Sequence, residues 1–118
     1  MNKILIVDDE PNILLSLEFL FKKEGFQVFI ARDGEEALSI IEESIPELVI
    51  LDIMMPKVDG YEVCQHLKQN HKEVKVIFIS AKSKQQDIQK GLAMGADLYL
   101  TKPFSTRELV QKVKNIMN

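Results

Sequence analysis

The chain has 118 residues, which suits one domain, and 46% of them are hydrophobic, enough to build a core. A formal charge of −3 argues against nucleic-acid contact by this domain, since such a surface needs a clustered basic face. The lone cysteine, Cys64, excludes an internal disulfide and points to a reducing cytosol, and no apolar run approaches the roughly 18 residues of a membrane span.

In chain order, the first apolar run is Ile4–Val7, which ends at Asp8-Asp9. Those acids cut it well short of the ~7–15 apolar residues of a signal peptide, so a cytoplasmic protein is expected. Pro11–Glu24 follows with helical period, placing Ile13, Leu14, Leu17, Leu20 and Phe21 on one face, and Gly25 supplies its stop. Gln27–Ala31 reads as a second strand. Asp33-Gly34 turns into a helix carrying Ala37, Leu38, Ile40 and Ile41, which ends before Pro46.

Leu48–Leu51 is the third strand and delivers Asp52. A loop over Ile53–Gly60 leads to a third helix with Val63 and Leu67 on its face. Cys64 is expected to be a small residue on that helix, with nothing basic beside it to activate a thiolate. His66 and His71 read as surface histidines rather than ligands. Val76–Ile79 stops at Ser80. The helix near Lys84–Met94 is the weakest, with Ile88 and Leu92 as its anchors and an internal Gly91. Leu98–Thr101 then delivers Lys102-Pro103, and Ser105-Thr106-Arg107-Glu108 opens a last helix that buries Leu109, Val110, Val113 and Ile116.

Continuous β-rich runs are the habit of parallel sheets buried on both faces. Five strands alternating with five helices, joined by right-handed crossovers, predict an α/β fold: a doubly wound parallel sheet in a three-layer αβα sandwich. Such sheets bind ligands at the carboxyl ends of their strands. Asp8, Asp9, Asp52, Ser80 and Lys102 therefore all face one edge. Three carboxylates brought together need a cation, and hard oxygen ligands with room for water and phosphate oxygens suit Mg²⁺. Asp52, alone on the central strand, is the natural nucleophile for a phosphoryl group, with Asp8 and Asp9 as metal holders. Lys102 can balance the charge of the phosphoryl oxygens and Ser80 can donate to one of them.

Each residue has a plainer reading taken singly. Asp8-Asp9-Glu10 could cap the following helix, Asp52 could be a solvated strand end, Ser80 a turn residue and Lys102 a surface charge. A magnesium-dependent phosphohydrolase would want Asp-x-Asp after the first strand and a cap domain. A flavin or nucleotide module would want a Gly- or Ser/Thr-rich phosphate loop there. A phosphate-independent interaction domain would not need both Asp52 and Lys102.

Asp8-Asp9-Glu10-Pro11, Asp52 through Gly60, Ser80-Ala81 and Gly95 through Phe104 together resemble the receiver domain of two-component response regulators, along the whole of residues 1–118. The resemblance implies a flavodoxin-like strand order 2-1-3-4-5, with Asp52 phosphorylated by a histidine kinase. It implies Mg²⁺ held by Asp9, Asp52 and the backbone carbonyl of Met54, with Asp8 acting through water. It further implies that Lys102 contacts the phosphoryl group, that Pro103 follows a cis bond, and that Ser80 and Tyr99 form a switch pair. Met54 and Lys82 would flank the path of a hydrolytic water. The output would be an effector domain or partner protein controlled through the fourth helix, fifth strand and fifth helix.

Asp52–Lys57 and Lys102–Phe104 are similar to receivers of winged-helix transcriptional regulators, which often dimerise through that surface. Here Leu98 stands where those carry a second Asp, and Lys112 where an Arg is common. A stand-alone receiver and a piece of a longer regulator read alike in this sequence.

Overall fold

The computed structural model describes residues 2–117; Met1 and Asn118, the ends of the domain expected over 1–118, lie outside the described residues. Its elements are β1 (Lys3–Val7), α1 (Pro11–Lys23), β2 (Gln27–Ala31), α2 (Gly34–Glu43), β3 (Leu48–Asp52), α3 (Gly60–Asn70), β4 (Lys75–Ser80), α4 (Gln85–Ala93), β5 (Leu98–Thr101) and α5 (Thr106–Met117). The strands form one parallel sheet in the order β2-β1-β3-β4-β5, as expected. The direction of winding reverses between β1 and β3, so the crevice of the sheet opens where Val7 and Asp52 end their strands.

Alternation along the strands divides the core in two. Leu5, Val7, Val49, Leu51, Val76 and Phe78 pack against Ala37, Ile41, Val63, Cys64 and Leu67 from α2 and α3. Ile4, Ile6, Leu48, Ile50, Ile77 and Ile79 face Leu14, Leu17 and Phe21 of α1 and Leu109 and Val113 of α5. Each such apolar side chain contributes about 1.5–3 kcal/mol relative to exposure, which fixes the register of the three central strands. The edge strands β2 and β5 are only half-buried, as one covered face and one free edge require.

Three helices, α2, α3 and α5, start at side-chain caps. Asp33 accepts from Glu36 N at 2.8 Å, Asp59 from Glu62 N at 3.0 Å, and Ser105 Oγ from Glu108 N at 3.2 Å. One expected anchor fails: Leu92 is exposed, and the residue α4 buries is Gly91. The helix lies on the sheet through Ile88 and its glycine, so a leucine on the outer side makes no core contact. Among the described residues, no helix is long and apolar enough to cross a membrane.

Candidate functional site

Position of the site follows from the strand ends. β1 delivers Asp8, fully buried, and Asp9, exposed; β3 delivers Asp52, which is buried; β4 ends on buried Ser80; the β5–α5 loop carries Lys102. A carboxylate oxygen from each of Asp8, Asp9 and Asp52 lies within 4.8 Å of the others. Lys102 Nζ reaches into this group, 3.0 Å from Asp8 Oδ2, 2.8 Å from Glu10 Oε1 and 3.6 Å from Asp52 Oδ2. Its backbone is held by the neighbouring strand, Lys102 N donating to Ser80 O at 2.8 Å, and the Lys102–Pro103 bond is cis.

The acids do not cap α1. That helix begins at Pro11 after Glu10, with no side-chain cap and no acid in its first turn. Asp8 Oδ1 instead accepts from Glu10 N at 2.9 Å, which folds the β1–α1 turn, and the Glu10 side chain leaves for Lys102. The plainer reading of Asp8-Asp9-Glu10 is thereby displaced.

The β3–α3 loop is folded back by Gly60 N donating to Ile53 O at 2.8 Å. A β-carbon on Gly60 would stand 2.4 Å from Asp52 O, so only glycine lets α3 begin so close to the strand end. Met54, which follows Asp52 by two residues, is exposed, and with Asp9 and Lys82 it lines a cleft of about 420 Å³.

Charge in the site is unbalanced. Burial raises the pKa of Asp8 above the usual carboxylate value, against the pull of the Glu10 amide and Lys102. Burial and the charge of Asp8 push Asp52 up to about 6, with Lys102 opposing them. Burial works against the charge of Lys102, but its ion pairs with Glu10 and Asp8 and the charge of Asp52 hold its pKa above the ordinary lysine value. Asp8 Oδ2 is buried and, among the described residues, makes no hydrogen bond of good geometry; the 3.0 Å approach of Lys102 is an ion pair off the hydrogen-bond direction. Three hard oxygen donors, one of them fully buried and met by a single ammonium, fit a small divalent cation such as Mg²⁺.

Ser80 Oγ accepts from Lys82 N at 3.1 Å. The Tyr99 ring is buried, lies edge-on to Phe78 with centroids 6.1 Å apart, and donates its hydroxyl to Lys82 O at 2.7 Å. The sequence pointed to Ser80, Tyr99 and Lys102 but not to the groups that hold them: the Lys82 carbonyl and Gly91 for Tyr99, and Glu10 for Lys102. Glu10 reaches Lys102 across 92 residues, and the Lys82 carbonyl and Gly91 act through how the β4–α4 loop and α4 pack on β5, which no local motif announces. Cys64 is buried and its thiol pKa is raised by burial, in keeping with the inert role expected of it.

The model of the response regulator receiver domain matches residues 4–114, and the chain belongs to that family. It is similar to the receiver domain of a Francisella response regulator, at 34% identity over 98% of this chain and 96% of that one, TM-score 0.93. It is similar to the response regulator TrrA of Thermotoga maritima, solved with Mg²⁺ and a beryllium fluoride, at 40% identity over 98% and 99%, TM-score 0.87. It also matches DrrB of Thermotoga maritima, an OmpR/PhoB homologue, at 36% identity and TM-score 0.91. There it covers 99% of this chain but 52% of the other, so it spans about half the length of that regulator.

Proposed function

We propose that residues 1–118 form one receiver unit that accepts a phosphoryl group on Asp52 from the phosphohistidine of a histidine kinase, in the cytoplasm, and relays the change to an effector domain or partner protein. The observation that carries this reading is the meeting of three carboxylates with Lys102 at the switch point of the sheet. An Asp52 oxygen attacks the phosphorus, an O–P bond forms, and the P–N bond breaks with its electron pair returning to the donor imidazole. Asp52 must be ionised to attack, and a pKa of about 6 leaves it mostly so at neutral pH.

Asp8, Asp9, Asp52 and the Met54 carbonyl would hold Mg²⁺, which supplies positive charge against the phosphoryl oxygens when bound. Lys102 supplies a second positive charge and must exchange Glu10 for a phosphoryl oxygen. Ser80, whose oxygen accepts from Lys82 N, keeps its own O–H to donate to another. Movement of Ser80 toward that oxygen would draw on the Lys82 backbone, which also anchors Tyr99, and so reach the α4-β5-α5 surface. A phosphorylation-dependent homodimer through that surface fits the same reading.

Incubating the protein with acetyl phosphate and Mg²⁺ tests it. Intact mass should show one added phosphoryl group, lost in Asp52→Asn and weakened without Mg²⁺. Undiminished labelling of Asp52→Asn would overturn the assignment.

A further inference from the structure

Far from the acidic crevice, at the C-terminal ends of α2 and α3, three side chains meet that the phosphoryl chemistry does not use. His66 Nε2 lies 3.0 Å and His71 Nε2 2.8 Å from the same oxygen, Oε2 of Glu42. The three atoms all lie within 4.8 Å of one another. We infer that Glu42, His66 and His71 form a binding site for a divalent transition-metal ion, of which Zn²⁺ is the probe of choice.

Ligand chemistry supports a borderline ion rather than Mg²⁺, because two imidazole nitrogens and one carboxylate are the donors that zinc, copper and nickel select. Tetrahedral zinc with bonds of about 2.0–2.2 Å places its ligand atoms roughly 3.3 Å apart. The observed 2.8 and 3.0 Å carboxylate–imidazole separations need to open by a few tenths of an ångström, and the two imidazole nitrogens lie within 4.8 Å of each other. Glu42 can make that move, being 56% exposed, while the imidazoles are held more firmly at 30% and 15%.

The fold also preorganises the two nitrogens. The ring planes are inclined by 58° with centroids 5.9 Å apart, so the rings converge instead of stacking. His71 is the C-cap of α3, its N–H donating to Leu67 O at 2.7 Å and its carbonyl accepting from Val74 N at 3.1 Å. Asn70 Nδ2 donates to the His66 carbonyl at 3.0 Å and lies 3.3 Å from Nδ1; with Nε2 on a metal the proton moves to Nδ1, and Asn70 turns its Oδ1 to accept it. Three protein ligands with a solvent-open side leave at least one coordination position for water or an outside donor.

Calorimetric titration of the untagged full chain with Zn²⁺ tests the site, with Mg²⁺ in large excess to fill the acidic crevice. One Zn²⁺ per chain is expected. His66→Gln, His71→Gln and Glu42→Gln should each weaken it by on the order of 10-fold or more while far-ultraviolet circular dichroism stays native. Co²⁺ in place of Zn²⁺ should give a visible absorption band that the same variants lose. Asp9→Asn should leave the affinity unchanged. Absence of stoichiometric binding, binding indifferent to the histidines, or binding lost in Asp9→Asn but kept in His66→Gln would overturn the proposal. Labelling of Asp52 by acetyl phosphate should persist in His66→Gln, so failure here and failure of the phosphoryl reading are separable.

Discussion

A β-carbon placed on Gly91 would stand 2.8 Å from Cδ2 of Tyr99, inside any ordinary carbon contact. The missing side chain in α4 is therefore the seat of the Tyr99 ring, and the glycine that weakens the helix serves the strand beside it. Without that gap the ring could not lie against Phe78 with its hydroxyl on the Lys82 carbonyl.

Gly91→Ala should expel the ring although alanine favours helix by about 1 kcal/mol. Overpacking of this kind costs about 1–3 kcal/mol, so the net effect is destabilising or neutral. The Tyr99 aromatic resonances should move toward solvent-exposed values while Asp52 remains phosphorylatable. Unchanged Tyr99 signals in Gly91→Ala would show that the helix, and not the ring, gives way.

Protonation of Asp52 sets a pH dependence whose sign is fixed. Its carboxyl titrates at about 6 in the folded protein against 3.8 for the ordinary group. Between those values the folded state keeps a proton that the unfolded chain has lost, so stability falls as pH rises through this window. The loss is on the order of 3 kcal/mol, complete above about pH 6–7. Asp8, raised by burial, acts in the same direction. Asp52→Asn should raise the metal-free Tm at about pH 7.5 but not at about pH 4. Added Mg²⁺ should stabilise the wild type far more at the higher pH. A wild-type minus Asp52→Asn difference that is flat with pH would contradict the shift.

Lys57 has φ 69°, a left-handed conformation that costs a residue with a β-carbon roughly 1–2 kcal/mol. Its ammonium lies 3.5 Å from Glu35 and 3.9 Å from Asp33, but exposed ion pairs contribute only ~0–1 kcal/mol. Strain exceeds what the pairs return. Lys57→Asn should therefore stabilise the domain by about 0.5 kcal/mol, seen in urea melts with unchanged slope. A loss of stability would mean that the ion pairs outweigh the backbone.

Met54 and Lys82 line the cleft beside Asp52. Hydrolysis of an aspartyl phosphate needs a water held in line, and a thioether offers it no useful hydrogen bond. Slow loss of phosphate is expected from the wild type, and Met54→Asn should shorten the lifetime several-fold. Decay followed by intact mass checks this; an Asn variant no faster than wild type would refute it.

Much of this was legible in the residues, for identifiable reasons. The runs Ile4–Val7, Leu48–Leu51 and Val76–Ile79 are apolar throughout because β1, β3 and β4 are covered on both faces. Asp8, Asp52, Ser80 and Lys102 could be gathered in advance because parallel strands all present their carboxyl ends to one edge. Leu92 misled, since helical period marks a face without saying whether the sheet reaches it. Glu10 bonded to Lys102, 92 residues away, and Glu42 bonded to two histidines depend on which loops and helix ends meet, and that is decided by packing.

The central claim is that Asp52 is the phosphoryl acceptor. Borohydride trapping reads it most directly, because the hydride reduces an acyl phosphate to an alcohol and leaves free carboxylates alone. After treatment with acetyl phosphate and Mg²⁺, peptide mapping should find homoserine at position 52 and unmodified aspartate at positions 8, 9 and 59. Homoserine at any of those other positions, with Asp52 intact, would contradict the account.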